Sequence, residues 1–409
     1  MLALSNLGSV RVGDGEPVRV IGVINLSPES FYGGSVVKGP EEAVEAARAM
    51  VEQGAAVIDL GGMSTAPYKS TMVSEEVEAG RLLPAVRAVK KELSVDLSVD
   101  TYRSGVAESC LSAGAGVVND VTGLRGDPRM AGVIADHGAS AILMTSSVRP
   151  GGQDPLARIR ASLDESVSAA RDAGVPGEKV VVDPGIGFFR DQEMKWLDWD
   201  TYVITNLRRL ALMGLPVNVG VSRKSFIGSI CGVKDPAGRL YGSLAAEAVC
   251  VANGAHSVRT HNVAATVQAV KLAQRVRREP STTAAGGMTG TALDQGLMEE
   301  DVAYLLRGLG VHAPGVAVLA RKGAFRVFML RRIPKVLALV AKQEMLSLGG
   351  EVATPKETIL GGEGDVDVLV MGTLSHVRRL AGRLEAMSFG FLKERDAPDL
   401  AALLRELLR

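Results

Sequence analysis

Cysteine is scarce, with three in 409 residues, and Cys110, Cys231 and Cys250 stand far apart. No pair has the spacing of a zinc site or a redox dithiol, so they read as small buried hydrophobes in a reducing compartment. An excess of one charge is also missing: 46 Lys/Arg balance 46 Asp/Glu. That balance argues against a polybasic nucleic-acid or membrane-surface protein. With 46% hydrophobic residues it also excludes a disordered chain. The sequence has no run of about 18 uncharged apolar residues to span a membrane and no basic start with an apolar stretch to read as a secretory signal. A soluble, cytoplasmic protein is expected, with neither nucleic acid nor membrane among its partners. Metal-binding His or Cys triads, the phosphate-loop lysine pattern and the dinucleotide fingerprint are likewise absent.

What is plentiful is glycine, 47 residues, placed between apolar runs. From residue 19 to 278, short runs rich in Val, Ile and Leu alternate with amphipathic stretches. The runs are 19–25, 56–60, 96–100, 116–119, 140–144, 179–183, 217–222 and 257–261, read as strands covered on both faces. The stretches between and after them, near 40–53, 74–92, 103–113, 128–136, 155–173, 200–212, 238–252 and 263–278, read as helices. Gly54, Gly114, Gly138 and Gly254 each precede an alanine after a helical stretch, which marks a repeated helix-to-strand turn. Eight βα units are the count of a TIM barrel, with a doubly wound open sheet as the alternative. The fold class is therefore α/β, a barrel over residues 1–278. A small polar tract at 279–292 reads as a linker. A smaller α/β domain follows at 293–409, with strands expected at 315–320, 325–330 and 366–371 and helices at 293–309, 333–348, 373–387 and 397–409. His137 and His256 lie at helix ends and are expected to be solvated.

Barrel active sites lie at the C-terminal ends of the strands. Here those ends carry Asn25, Asp59, Asp100, Asn119, Met144-Thr145, Asp183, Ser222-Arg223-Lys224, and Arg259 with His261. Any one of them reads equally well as a residue capping the next helix. Together they converge on one mouth. Asp, Asn and Lys side chains suit a flat heteroaromatic ring with many donors and acceptors. Arg259, His261 and Asn25 suggest a separate polyanion corner, since the last two strands of barrels often hold phosphate. In the segment 183–189 (DPGIGFF), two glycines let backbone approach a ligand, and Phe188 or Phe189 is placed to cover a ring. The polar stretch 65–74 is a candidate lid.

These residues also carry a family resemblance. The segments 22–31 (GVINLSPESF), 59–67 (DLGGMSTAP), 98–101 (SVDT), 117–124 (VVNDVTGL), 183–188 (DPGIGF), 220–227 (GVSRKSFI) and 258–263 (VRTHNV) resemble dihydropteroate synthases. The resemblance implies transfer of a pterin from 6-hydroxymethyl-7,8-dihydropterin diphosphate to an arylamine, p-aminobenzoate or a ribofuranosyl-aminobenzene phosphate with the modified arylamine favoured, and release of diphosphate. It implies pterin contacts at Asp100, Asn119, Asp183 and Lys224. It places diphosphate and Mg2+ at Asn25, Arg259 and His261, with Asn25 as the metal ligand. The arylamine's surroundings are then Ser64, Thr65, Pro67, Phe188, Lys224 and Ser225, and a homodimer is implied. The residues alone leave the oligomeric state open. Gly33 and Ala66 stand where an Asp and an Arg are usual, Thr145 where a His is common, and Asn262 where an Asp is. The variant segments look like the archaeal branch, which carries a C-terminal extension and is linked to methanopterin-type cofactors. A phosphorylated arylamine would then find a cation at Lys69 or Arg103. A pterin-binding methyltransferase and a non-catalytic pterin-binding homologue are the alternatives.

Overall fold

The short apolar runs find their cover in a ring of parallel strands wrapped by helices. The computed structural model describes residues 3–29, 34, 36–64, 72–149, 154–189, 194–277, 282–285, 288–291, 296–359, 364–387 and 396–408. The chain divides into two units, Met1–Ser281 and Thr282–Arg409. The first opens with a hairpin, β1 (Leu4–Leu7) and β2 (Val10–Gly13). It continues through β3 (Arg19–Asn25), α1 (Pro40–Glu52), β4 (Val57–Gly61), α2 (Glu75–Glu92), β5 (Asp96–Asp100), α3 (Ser104–Ser112), β6 (Val117–Asp120), α4 (Met130–Asp136), β7 (Ser140–Met144) and α5 (Pro155–Asp172). It ends through β8 (Val180–Asp183), α6 (Trp196–Thr205), β9 (Asn218–Val219), α7 (Ser225–Cys231), α8 (Leu240–Ala252), β10 (Ser257–Thr260) and α9 (Val263–Val276). The strands pair in parallel in the order β8-β7-β6-β5-β4-β3-β10-β9. A parallel bridge between Val182 and Val217 joins the two ends and closes the barrel.

The helix-to-strand turns follow one pattern. Gly54, Gly114, Gly138 and Gly254 have φ of +103°, +109°, +55° and +106°, a region that costs side-chain-bearing residues strain. After each, the alanine amide bonds back into the last helical turn, as from Ala55 N to Met50 O at 2.9 Å.

Side chains alternate in and out along each strand. Ile21, Val57, Val117, Ile142 and Val181 form an inner cluster with Leu7 and Val12 of the hairpin, every one fully buried. The hairpin thus closes the N-terminal end of the barrel, held by Ser5 Oγ donating to Val180 O at 2.7 Å and Gly8 N to Ser140 Oγ at 3.1 Å. The same alternation, carried two residues on, places Asp59, Asn119 and Asp183 inward at the opposite end. The outward residues Ile58, Leu97, Val118 and Val258 pack under the helices in the larger core.

His256 departs from its expected solvated position. It is buried, accepts from Val217 N at 3.0 Å through Nδ1 and meets Asp14 Oδ1 at 3.1 Å through Nε2. The β2 end supplies this partner from 242 residues away, which is why the helix-end position alone misleads. His137 is exposed. The single helix read over 200–212 is α6 followed by a separate 3-10 turn, Leu207–Met213.

In the second unit the tract read as a linker contains an antiparallel hairpin, β11 (Thr282–Ala285) and β12 (Met288–Thr291). Then come α10 (Glu299–Gly308), α11 (Ala313–Gly323), β13 (Phe325–Pro334), α12 (Lys335–Leu348), β14 (Glu351–Ala353), α13 (Lys356–Ile359), β15 (Asp365–Thr373), α14 (Leu374–Glu385) and α15 (Asp396–Leu407). The strand expected at 315–320 is instead the middle of α11. His312 accepts the Gly315 amide at its start, Pro314 suits its first turn, and Val316 and Ala320 are buried four residues apart. The sheet is antiparallel in the order β13-β15-β14. Its covered face, through Leu330, Val352, Val368 and Val370, packs on Leu337, Met345, Val377 and Leu380. Among the described residues no helix is long and apolar enough to cross a membrane.

Candidate active site

The C-terminal ends of the barrel strands hold two linked carboxylate systems. On one side Arg259 of β10 donates from Nε to Asp59 Oδ2 at 2.6 Å and from Nη2 to Asp100 Oδ2 at 2.7 Å. Asn119 Nδ2 donates to the same Asp59 oxygen at 3.3 Å. Arg259 was expected in a corner apart from the ring-binding residues; the structure bonds its guanidinium to one of them, Asp100, and to Asp59. The reason is geometric: β10 lies beside β3, and an inward arginine is long enough to cross to the mouth of β4 and β5. Asp59 Oδ1 and Asp100 Oδ1 are buried and accept no hydrogen bond from the described residues. A buried acceptor left so costs about 1–3 kcal/mol, which a donor-rich ligand would recover.

On the other side Asn218 Nδ2 donates to Asp183 Oδ2 at 2.7 Å, and the Gly185 amide to Asp183 Oδ1 at 2.8 Å. Ser257 Oγ holds Asn218 Oδ1 at 2.8 Å. The glycines of the DPGIGFF segment are required by close approach. A Cβ on Gly185 would lie 1.9 Å from Thr145 O, and one on Gly187 2.7 Å from Lys224 Cδ, both at positive φ. Lys224 Nζ therefore reaches over the loop to donate to Ile186 O and sits 4.6 Å from the Phe188 ring centroid. Phe188 is half-buried, whereas Phe189 is buried against Trp199 at 5.0 Å and does not line the mouth.

Burial sets the protonation of these groups. It pushes Asp100 up to about 7, against the pull of Arg259 and with the repulsion of Asp59. It raises Asp183 as well, opposed by Lys224, the Gly185 amide and Asn218. Arg259 also suffers burial, but Asp59 and Asp100 outweigh it and keep the guanidinium charged. His261 is taken down to about 3 by burial and then by Arg259, Arg223 and Lys224. It was expected as a cation for diphosphate; in this surrounding it is a neutral imidazole, bonded through Nδ1 to Ser222 Oγ at 3.0 Å.

Asn25 ends β3, with its Oδ1 beside Gly61 on β4. Ser64 follows β4, and Ser225 opens α7 directly after Lys224. Thr65, Pro67, Gly33, Ala66, Lys69 and most of the 65–74 lid stretch lie outside the described residues. Arg103 is engaged elsewhere: it donates to Glu78 Oε2 at 2.5 Å and to Val73 O at 2.7 Å. That engagement removes it as a ready cation for a phosphorylated acceptor. A reading of strand ends leaves one member without a role and misses another. Asp59 is visible as one but acquires a role only through Arg259. Asn218 is hidden inside the run 217–222, where a polar residue at an inward position was the available signal.

Comparison with known proteins fits this geometry. Residues 21–261 match the family described as pterin binding enzyme. The dihydropteroate synthase of Synechocystis sp. is 36% identical over 271 residues, covering 64% of this chain and 92% of that protein. The structure of a Coxiella burnetii dihydropteroate synthase in complex with pteroic acid superposes with a TM-score of 0.58 at 35% identity, covering 68% of this chain and 98% of that one. The Thermus thermophilus enzyme in complex with 4-aminobenzoate gives 0.56 at 36% identity, covering 67% and 99%.

Proposed function

The chain belongs to the pterin-binding enzyme family, in its dihydropteroate synthase branch, and from that premise we propose that its barrel mouth joins 6-hydroxymethyl-7,8-dihydropterin diphosphate to p-aminobenzoate. The bond broken lies between the pterin methylene carbon and a diphosphate oxygen, and the bond formed is carbon to arylamine nitrogen. The observation that carries this reading is the paired arrangement at the mouth, Asp59–Arg259–Asp100 facing Asp183–Asn218 with Lys224 between loops.

In this reading Asp100, Asn119, Asp183 and Lys224 hold the pterin ring. The carboxylates accept from its amino and N–H groups, and Lys224 donates. Positive charge spreads into the ring as diphosphate departs, and the buried carboxylates stabilise it in a site of low polarity. Arg259, charged and fixed by two carboxylates, keeps one edge toward the leaving group. His261 meets the diphosphate as a hydrogen-bonding group. Ser64, Phe188 and Ser225 surround the arylamine. Its nitrogen attacks a carbon already electron-poor, so positioning matters more than a strong base, and no residue acts as a nucleophile.

Mg2+ fits the donors at this corner. Asn25 offers one neutral amide oxygen at a strand end, and this ion takes few protein ligands and draws the rest from phosphate and water. When bound it would neutralise charge developing on the diphosphate. The acceptor reading rests on the engagement of Arg103 by Glu78 and Val73, which disfavours a phosphorylated arylamine. The test is to supply the pterin diphosphate with p-aminobenzoate or with its ribofuranosyl phosphate counterpart and to follow diphosphate and the coupled product. Coupling to the phosphorylated acceptor alone would contradict the p-aminobenzoate assignment and favour the methanopterin-type branch.

A further inference from the structure

The SRK segment contributes Lys224 to the site, yet its most constrained residue is the one before. Arg223 is buried and has φ +58°, a left-handed conformation that an arginine adopts at a cost unless its surroundings fix it. Here they do. Its amide donates to Ser243 Oγ at 2.8 Å, and its carbonyl accepts from Arg239 Nη1 at 3.0 Å. Its Nη1 donates to Pro236 O and Ala237 O, each at 2.7 Å. Its Nε donates to Asn262 Oδ1 at 2.9 Å.

That last bond joins two loops. Asn262 directly follows His261 after β10, while Arg223 directly precedes Lys224 after β9. Ser222, on the other side of Arg223, takes His261 as well, through Nδ1 at 3.0 Å and the His261 amide at 3.4 Å. Lys224 in turn reaches Ile186 O in the loop after β8. The Arg223 side chain therefore ties the loop after β10 to the Pro236–Ala237 segment, while its chain neighbours Ser222 and Lys224 reach His261 and the loop after β8.

Building on the proposed transferase reading, we infer that Arg223 is a positioning residue: through its bonds to Asn262 and to the Pro236–Ala237 carbonyls it sets Lys224 and His261 in register for the pterin and its diphosphate. Its planar fork matters more than its charge, since one guanidinium serves three acceptors in fixed directions. Displacement of a reacting group by about 1 Å costs on the order of 100-fold in rate.

The experiment compares the full-length protein with Arg223→Ala, Arg223→Lys and Asn262→Ala. It measures diphosphate release, KM for each substrate, calorimetric affinity for the pterin diphosphate, and the thermal midpoint. For Arg223→Ala the expected result is a fall in kcat on the order of 10- to 100-fold, weaker pterin diphosphate binding, and an arylamine KM near that of wild type. Arg223→Lys should rescue little of this, Asn262→Ala should reproduce part of it, and millimolar methylguanidinium should restore part of the Ala variant's kcat. Wild-type kcat and pterin affinity in Arg223→Ala would overturn the inference. So would losses that follow the thermal midpoint alone and do not respond to methylguanidinium, since those mark a merely structural role. Wild-type protein that neither binds the pterin diphosphate nor releases diphosphate would instead contradict the functional reading itself.

Discussion

Arg259 donates to Asp100 Oδ2 at 2.7 Å across the barrel mouth, although β3 and β4 stand between their strands. The same guanidinium holds Asp59, so two buried carboxylates share one cation. Burial, with the repulsion of Asp59, nevertheless raises Asp100 to about 7 against the pull of Arg259. Below that pH it is a neutral acid; above it, a carboxylate able to stabilise positive charge on the pterin. We predict that kcat/KM for the pterin diphosphate rises as pH increases through about 7, and that Asp100→Asn removes this limb along with most activity. A pH profile that Asp100→Asn lowers without changing its shape would argue against Asp100 as the group that titrates.

Asp183→Asn should weaken pterin binding by about 1–3 kcal/mol, because an amide in place of the carboxylate turns one acceptor toward Asn218 or Gly185 into a donor. Asn218→Ala should weaken it less, since Asp183 keeps the Gly185 amide. Calorimetry on both variants checks the order; equal affinity in Asp183→Asn and wild type would remove Asp183 from the ring site.

Arg259→Lys should slow turnover far more than it changes arylamine KM. A lysine keeps the charge but cannot span Asp59 and Asp100 at once. Single-turnover diphosphate release would show the loss at the chemical step, and an unchanged rate would deny Arg259 its place beside the leaving group.

Glu247 is a separate buried carboxyl, bonded to Thr266 Oγ1 at 2.7 Å and raised to about 7 by burial. Its folded value lies above its ordinary one, so the folded state holds the extra proton, and stability falls as pH rises from the usual glutamate range through about 7. Asp100 adds a slope of the same sign. Glu247→Gln should therefore flatten part of the decline in thermal midpoint between about pH 5 and about pH 8. An unaltered slope would show that Glu247 is not its source.

Leu7→Ala, in the hairpin that closes the far end of the barrel, should cost about 2–5 kcal/mol of stability, as buried leucines typically do. Denaturant unfolding would measure the loss, while kcat at a temperature where the variant stays folded should be unaffected.

Much of the barrel was legible because its strands are short, β-branched and punctuated by helix-ending glycines such as Gly54 and Gly114. Asp100, Asn119, Asp183 and Arg259 were legible for the same reason, since polar residues at the ends of apolar strands have few places to go but the mouth. What stayed hidden depends on contacts between distant segments. Nothing local tells that Arg259 will cross to Asp59, 200 residues away, or that Asp14 will bury His256. Asn218 was obscured because β9 pairs over only two residues, so its run shows no clear alternation. In the second unit, the short apolar run 316–320 (VAVLA) mimics a strand, and only the cap at His312 and the buried pair Val316 and Ala320 resolve it as a helix.

The most direct test of the account is to incubate the purified chain with 6-hydroxymethyl-7,8-dihydropterin diphosphate, p-aminobenzoate and Mg2+ and to identify the products by mass spectrometry. One diphosphate should be released for each pterin–arylamine conjugate formed, and both products should be lost when Asp183 and Arg259 are replaced by alanine. Binding of the pterin diphosphate with no conjugate from any arylamine would contradict the account.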